Sequence, residues 1–127
     1  MTYTTTAAYR ILVARAIMGD TVDLLPATLK LGTGHYNAGT GVLTPPIPSE
    51  TDLETPIITG VTATVSRSGQ VIRITASVEG TSTPVEITEA GVFLTDGTMV
   101  LIDVFRPRTL VTGVPFAFAY SLLPEVN

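Results

Sequence analysis

The stretch 86–105 decides how the chain folds, and it reads Glu-Ile-Thr-Glu-Ala-Gly-Val-Phe-Leu-Thr-Asp-Gly-Thr-Met-Val-Leu-Ile-Asp-Val-Phe. Two runs rich in β-branched and large apolar residues flank Asp96-Gly97, a dipeptide that suits the positive φ angles of a tight type I′ turn. The pattern predicts a β-hairpin. Gly91 interrupts the first arm and indicates a bulge or a close approach by another piece of backbone.

Alternating apolar and polar residues predict further strands on both sides of this hairpin. We expect a short strand at 27–31 and a second hairpin, with arms at 57–66 and 70–79 joined by a turn at 66–69. The clearest amphipathic pattern is the last strand, 116–123, in which one face carries Phe116, Phe118, Tyr120 and Leu122. Five or six strands follow from these patterns.

One helix is predicted, at the N-terminal end of the chain. Residues 4–6 are threonines that offer N-cap hydroxyls, residues 7–18 contain neither Gly nor Pro, and Gly19 is a suitable stop. We expect the alanine-rich helix to pack on the chain's own sheet, with a partner protein as the alternative. The predicted fold class is α+β: a mainly antiparallel β sheet or sandwich built from hairpins, with one N-terminal helix.

Length and composition limit the classes of function. A chain of 127 residues is expected to form a single domain, 1–127. Charged residues make up 14% of the chain, against about 25% in most soluble domains. Such a low charged fraction is typical of a subunit inside an assembly, and equally of a β-rich domain whose surface is Thr and Ser. A net charge of −4 and scattered basic residues argue against nucleic-acid binding. The sequence has no cysteine for disulfides or thiolate metal sites, and no apolar run near the ~20 residues of a membrane span.

No motif predicts catalysis, a metal site or a cofactor. Gly32-Thr33-Gly34 and Gly39-Thr40-Gly41 lack both the lysine of a phosphate loop and the third glycine of a dinucleotide site. His35 is the single histidine, and we interpret it as a surface or interface group in a loop. Asp52 and Glu54 are interpreted as a solvated loop edge, because glycosidases bring their two acids from different elements. We therefore expect that the chain is not an enzyme.

Asp103 lies within the apolar run Val-Leu-Ile-Asp-Val-Phe. A buried carboxylate needs a partner, for which Arg106 and Arg108 are candidates. We predict instead that Asp103 points to the solvent face, with the arginines at a sheet edge. Alternatively, Arg106-Pro107-Arg108 grips an acidic patch on a neighbouring subunit.

The stretch 35–51 is rich in glycine and proline. Its prolines 45, 46 and 48 favour a polyproline-like path without ladder hydrogen bonds. We expect a long surface loop, and long ordered loops often carry function. Loop position and residue type select the candidate partner-binding residues: Tyr36, Pro45, Pro46, Ile47, Arg106, Pro107 and Arg108.

Four features in order resemble the N-terminal, baseplate-attachment domain of bacteriophage tail fibre and tail-collar proteins. They are the early alanine-rich helix, the strand end Leu31-Gly32-Thr33-Gly34, the proline loop that reaches Asp52-Leu53-Glu54, and the segment Ile87-Thr88-Glu89-Ala90-Gly91-Val92-Phe93. The family's hairpin reads Ile-x-Glu-x-Gly-Leu-Phe-x-x-x-Gly. Here it is represented by Ile87, Glu89, Gly91, Val92, Phe93 and Gly97, with Val for Leu and a shorter approach to the turn.

The resemblance implies a function and a set of partners. In that family the domain joins the fibre to the baseplate, and full fibres are trimers followed by a receptor-binding portion. Because the chain ends at Asn127, we expect a small structural virion protein of a phage-like tail, a baseplate component or an adaptor that attaches a separate fibre. Such a protein is assembled in the host cytoplasm, binds other tail proteins through its loop or through exposed strand edges, and is a homo-oligomer with a trimer favoured.

Two other functions stay open. Exposed threonines and four tyrosines fit a carbohydrate-binding β-module for host recognition, although sugar platforms commonly use tryptophan, which is absent. Within the structural class, a capsid decoration protein or a head-to-tail joining protein is the other alternative.

Overall fold

The computed structural model describes residues 3–69, 71–80 and 84–122. The fold class predicted from the sequence is confirmed, since the molecule is mostly antiparallel β sheet with a single short N-terminal helix. In chain order the elements are β1 Tyr3–Thr5, α1 Ala7–Ile17, β2 Pro26–Gly32, β3 Tyr36–Asn37, β4 Val42–Leu43, β5 Pro56–Thr62, β6 Thr64–Ser68, β7 Val71–Glu79, β8 Val85–Leu94, β9 Met99–Leu110 and β10 Pro115–Leu122. The strands in this part of the chain outnumber the five or six predicted, partly because β1, β3 and β4 are too short to show a period.

Two antiparallel sheets enclose the main core. The larger has the strand order β1-β9-β8-β2-β5 and the smaller has the order β10-β7-β6, while β3 and β4 form a separate ribbon. Side chains from the facing sides of the two large sheets make one apolar cluster, which includes Leu31, Ile74, Val92, Leu101 and Phe118. The arrangement is a small β-sandwich, one of the two arrangements that the sequence left open.

The predicted hairpin forms the centre of the larger sheet as β8 and β9, but its turn differs from the prediction. Gly97 has a φ of 93°, whereas Asp96 is not in the left-handed region, so the type I′ assignment is wrong. The N–H of Gly97 donates to the carbonyl of Leu94 over 3.0 Å, and the N–H of Leu94 donates to Thr98 over 2.8 Å. This is a three-residue loop with glycine in the left-handed position, which also matches the twist of the strands.

The predicted strand 57–66 is divided between the two sheets. Its first part, β5, pairs with β2, and its continuation, β6, pairs with β7. Between them the N–H of Ala63 donates to the carbonyl of Ala27 over 3.0 Å, at the point where the chain crosses from one sheet to the other. The hairpin prediction is therefore correct for β6 and β7 and wrong for β5, because alternation does not report which sheet a strand joins.

The helix begins where the threonines predict. Thr6 is the N-cap, and its hydroxyl oxygen accepts the N–H of Tyr9 over 3.2 Å. The chain leaves the helix after Met18, with Gly19 at a φ of 95°. No residue of α1 is fully buried, and only Tyr9 and Leu12 pack against the margin of the main core. The helix thus packs on the chain's own sheet, as expected, but only through a few side chains at its margin.

A second, smaller cluster lies apart from the main core. It consists of Leu53, Phe93, Met99 and Ile102. A Cβ added at Gly91 would lie 3.1 Å from a methyl group of Leu53 and 3.0 Å from the ring of Phe93. The close approach predicted at Gly91 therefore exists, but the approaching group is a side chain and not backbone. Through Leu53, the segment that follows the long loop is fixed to the sheet.

Candidate functional site

Glu89 is the centre of a buried polar cluster on β8. Its side chain has no exposed surface. One oxygen, Oε2, accepts the N–H groups of Gly34 and Thr55 over 3.0 and 2.9 Å. The other, Oε1, accepts the N–H of Glu54 over 3.0 Å and contacts the ring of His35 at 2.8 Å. A carboxylate has about four acceptor positions, so every one of them is occupied.

His35 lies between two carboxylates. Its Nδ1 is 2.8 Å from Oε1 of Glu89, and its Nε2 contacts Oε1 of Glu50. The residue is 2% exposed, so the interpretation of His35 as a surface group is wrong. It follows Gly34 directly and has a φ of 57°, a left-handed conformation that turns its ring back over the strand end. Nothing local in the sequence marks a loop histidine for burial.

The geometry favours a doubly protonated ring. A neutral imidazole has one N–H and can donate to only one of two carboxylates, whereas the imidazolium donates to both. Burial lowers the pKa of His35, but hydrogen bonds to Glu89 and Glu50, together with the charges of these residues, outweigh it and raise the pKa above the ordinary value of 6.5. At pH values below this raised pKa, His35 is a cation that lies between the two carboxyl groups.

The two glycines before His35 make room for the cluster. A Cβ added at Gly32 would lie 2.3 Å from Oε2 of Glu89 and 2.4 Å from the carbonyl of Thr55. A Cβ added at Gly34 would lie 2.8 Å from the same Glu89 oxygen. All three distances are shorter than van der Waals contact, so only glycine allows the backbone to approach the carboxylate this closely. The hydroxyl of Thr88 also donates to the carbonyl of Gly34 over 2.7 Å.

The cluster fixes both ends of the predicted loop 35–51. His35 and Glu50 belong to the cluster, and from here on the long loop means the residues between them, 36–49. At one end the carbonyl of His35 accepts the N–H of Thr44 over 2.8 Å. At the other, Oε2 of Glu50 accepts the N–H of Ile47 over 2.9 Å, and the carbonyl of Pro48 accepts the N–H of Ala7 over 2.7 Å. Between these anchors the loop is a surface element, as predicted, and its first half contains the short strands β3 and β4.

The loop presents the first group of predicted partner-binding residues. Pro45 is exposed, Ile47 is 54% exposed, and Tyr36 and Pro46 are half-buried. Val42, which the sequence analysis did not select, is 59% exposed. The long loop therefore exposes a small set of apolar side chains to solvent, while hydrogen bonds hold its two ends.

The second group, residues 106–108, lies on a different element. Arg108 pairs with Ile87 and Val104 pairs with Glu89, so β9 has extra residues at this point and forms a bulge. Arg106 is exposed, whereas the guanidinium of Arg108 stacks 5.2 and 5.3 Å from two aromatic rings, those of Phe105 and Phe116. The half-buried Pro107 lacks an N–H. A bulge, a proline and charged residues together protect a sheet edge from pairing.

Asp103 points into the main core, so its predicted solvent position is wrong. It has no exposed surface, and its Oδ2 accepts the hydroxyl of Tyr120 over 2.8 Å. Within the described residues Oδ1 has no hydrogen-bond partner. Burial raises the pKa of Asp103 to about 6, although the Tyr120 bond and the charge of Arg108 act against the shift. The register sets this orientation: alternate residues of β9 face the core, and Leu101 and Phe105 do so.

Asp52 and Glu54 do not act as a pair. Asp52 lies 3.7 Å from the ammonium of Lys30, and Glu54 Oε1 accepts the N–H of His35 over 3.2 Å. Lys30 in turn lies over the ring of Phe93, 4.2 Å from its centre. Asp52 thus contacts a side chain of β2, whereas Glu54 contacts the backbone at the start of the long loop.

The cluster has the chemistry of a structural element. Its carboxylate and ring are enclosed, and each hydrogen-bonding position of Glu89 is already used by the chain itself. Among the described residues, no group of three or more His, Asp or Glu side chains is arranged to hold a metal ion. In the same residues no helix is long and apolar enough to cross a membrane.

Sequence reasoning did not identify this cluster. The sequence shows Glu89 only as part of a motif and gives no sign that Glu50 takes part. One signal was present: Glu89 is a carboxylate in a strand whose neighbours are apolar, and a buried carboxylate requires donors from elsewhere in the chain. The matching donors come from backbone N–H groups of residues 34, 54 and 55, which a sequence does not display.

Comparison of the chain with protein-family models, with curated proteins and with solved structures gave no match. The function is therefore inferred from the geometry above and from the motifs quoted in the sequence analysis.

Proposed function

We propose that the chain is a non-enzymatic structural protein of a phage-like tail, a baseplate component or adaptor that attaches the tail fibre. One observation supports this above the others. The motif segments that carry the resemblance, Leu31-Gly32-Thr33-Gly34, Asp52-Leu53-Glu54 and Ile87-Thr88-Glu89-Ala90-Gly91, are distant in the chain and meet around the Glu89 carboxylate.

The convergence of the motifs has a physical basis. The two glycines admit the carboxylate, the backbone at residues 54 and 55 donates to it, and Leu53 packs on Gly91. The three segments therefore act as one structural unit, and this convergence is the observation that supports the proposal.

The unit also provides a means of attachment. It anchors the long loop at both ends while leaving Val42, Pro45 and Ile47 exposed. A loop with fixed ends loses less conformational entropy when a partner binds than a free one does. We propose that these side chains contact a neighbouring tail protein, with Tyr36 and Pro46 supporting them, and that the chain works as a homo-oligomer in the virion tail.

Arg106-Pro107-Arg108 has a weaker claim to partner binding. Arg108 stacks on two aromatic rings of its own chain, and the bulge accounts for the proline. Of the three, the exposed Arg106 is the residue that we retain as a contact for an acidic neighbour.

The carbohydrate-binding alternative is less well supported by the side chains. All four tyrosines lie in the described residues. Tyr3, Tyr9 and Tyr36 are half-buried, and Tyr120 is buried and bonded to Asp103. A sugar platform needs an accessible aromatic face.

The test is whether the chain is part of a tail. Phage-like particles from cells that produce the chain are purified, heads are separated from tails, and each fraction is analysed by mass spectrometry and by immunogold electron microscopy. We expect the chain in the tail fraction, with gold at the baseplate end. Recovery with the heads would instead identify a decoration or joining protein, and recovery only outside particles would refute a virion role. A glycan array with the purified chain tests the carbohydrate alternative directly.

A further inference from the structure

The four edge strands of the two large sheets differ in how well they are protected. β1 has three residues, β5 pairs with β2 through register shifts, and β6 carries Arg67. β10 differs from all of them: it pairs with β7 at eight consecutive positions without a shift and contains no charged residue. A long, regular, uncharged edge is the kind that pairs with another strand.

The backbone of β10 offers hydrogen-bonding groups away from β7. The hydroxyl of Tyr3 donates to the carbonyl of Ser121, and from this contact we infer that the carbonyl points away from the β7 side. In an antiparallel strand the N–H and C=O of one residue point to the same side, and the side alternates along the strand. Ala117 and Ala119 therefore also direct their backbone groups outward. Among the described strands, β7 is the one that pairs with β10.

We propose that β10 binds the β10 strand of a second copy of this chain, antiparallel and about a two-fold axis at Ala119. This register places Ala117 opposite Ser121 of the second copy. It uses the outward backbone groups of Ala117 and Ala119, together with the N–H of Ser121 and the carbonyl lone pair that Tyr3 does not occupy. The two smaller sheets then join into one sheet of six strands. The inference does not depend on the proposed function.

The composition of the strand favours a second copy over an unrelated partner. In a two-fold pair each side chain faces a member of the same set, so any charge near the axis meets its own like charge. β10 has none, and the exposed side chains at the axis are small: Ala117, Ala119 and Ser121. Val111 and Val114, which are 45% and 57% exposed, lie just before the strand and add apolar surface beside it. The two-fold pair differs from the trimer that the family resemblance implies.

The test uses charge at the axis. Light scattering coupled to size exclusion should give the wild-type chain twice its mass of 13.4 kDa at high concentration. Ala119→Lys and Ala119→Glu each place like charges opposite one another, and each should be monomeric. An equimolar mixture of the two variants should recover the dimer, because opposite charges then meet at the axis. Ala119→Ser, which adds no charge, should remain dimeric.

Several results would overturn the proposal. A wild-type chain that stays monomeric across the concentration series has no such interface, and a wild-type trimer is incompatible with pairing that closes at two. If Ala119→Lys stays dimeric, the interface lies elsewhere. Circular dichroism of each variant checks that the fold is retained. If neither charged variant folds, the double variant Ala117→Lys with Ser121→Lys applies the same test, because these two exposed positions face each other across the axis.

Discussion

Glu89 and His35 are 54 residues apart in the chain, and their side chains meet in a buried contact of 2.8 Å between Oε1 and Nδ1. The contact closes a chain of three charged groups, since the other ring nitrogen of His35 reaches Glu50. Two carboxylates share one cation, and backbone N–H groups supply the remaining donors to Glu89. The network joins β8, the end of β2 and the long loop into one unit.

We expect Glu89→Gln to destabilise the fold by about 3–5 kcal/mol, the usual cost of removing one partner of a buried charge pair. The amide retains the shape of the side chain, but its NH₂ group faces backbone donors that have no other acceptor. Urea unfolding of the variant measures the loss. Glu86→Gln is the matched control, because Glu86 is an exposed carboxylate on the same strand; its effect should stay within about 0.5 kcal/mol. Equal effects of the two substitutions would mean that the network contributes nothing.

The pH dependence of stability should reveal the imidazolium. The pKa of His35 is raised in the folded state above 6.5, so the folded protein binds its proton more tightly than the unfolded chain does. The stabilisation is fully present below pH 6.5 and is lost as the pH rises through the raised pKa. His35→Asn removes the titrating group and retains a residue that tolerates a positive φ.

The free energies of unfolding of wild type and His35→Asn should therefore differ most on the acid side of pH 6.5 and converge at alkaline pH. A series of urea titrations at increasing pH measures this difference. A difference that stays constant across the series would show that His35 is not charged in the folded protein.

The glycines before His35 provide a steric test. Gly32→Ala places a Cβ against the Glu89 carboxylate and against backbone, and we expect a loss of about 3 kcal/mol, at the upper end of overpacking effects. Gly60→Ala is the control, because a Cβ there has no atom within 4 Å and the residue also lies in a strand. That substitution should be neutral or stabilise by about 0.4–1 kcal/mol through the unfolded chain. Thermal unfolding of both variants distinguishes a site-specific clash from a general cost of replacing glycine.

Sequence patterns predicted the elements whose cause is local. The Thr6 cap, the β8–β9 hairpin and the alternation of β10 all arise from neighbours within a few residues, so their signals are in the sequence. The crossing of the chain at Ala63 and the burial of His35 depend on groups that are tens of residues away. Short-range periodicity carries no information about them.

Asp103 shows where a local rule was overruled. Its position in the alternation of β9 places it with Leu101 and Phe105 on the core side, while its charge favours water. The prediction of a solvent position followed from the charge of Asp103, but in the structure the register of β9 places the side chain in the core. The hydroxyl of Tyr120, on a strand of the opposite sheet, meets the carboxylate and makes burial tolerable. A hydrogen bond between strands of two different sheets depends on the tertiary fold, so a local sequence pattern does not reveal it.

We expect Asp103→Asn to stabilise the protein near neutral pH. Because burial raises the pKa of Asp103 from 3.8 to about 6, the folded state binds the proton more tightly, and stability falls as the pH rises from 3.8 through 6. A shift of this size corresponds to about 3 kcal/mol. The asparagine keeps an acceptor for Tyr120 but buries an NH₂ group, so the net gain should be about 1–2 kcal/mol.

Urea unfolding of Asp103→Asn between pH 4 and 7 measures the gain and should show a flatter pH dependence than the wild type. Tyr120→Phe is the complementary variant: it removes the hydroxyl that donates to Oδ2 of Asp103 and should destabilise by about 1–3 kcal/mol. If Asp103→Asn is as unstable as Tyr120→Phe near neutral pH, the buried carboxylate does not destabilise the folded protein.

The last prediction concerns the long loop. Replacing Pro45 and Pro46 with glycine should leave the fold intact, because Glu50, His35 and the carbonyl of Pro48 still anchor the loop ends. The same change frees the backbone between the anchors, so a partner must then order it at a cost of about 1–2 kcal/mol per residue. Binding to isolated tail particles, measured by co-sedimentation, should weaken by at least tenfold.

Gly113, a turn glycine between β9 and β10 with a φ of 77°, offers the matched control for that experiment. Gly113→Asn changes a loop outside the proposed contact and retains a residue that accepts a positive φ, so binding should equal that of the wild type. If the proline variant sediments with the particles as well as the wild type does, the long loop is not the attachment surface. The exposed Arg106 then becomes the residue to replace, since it is the remaining charged candidate.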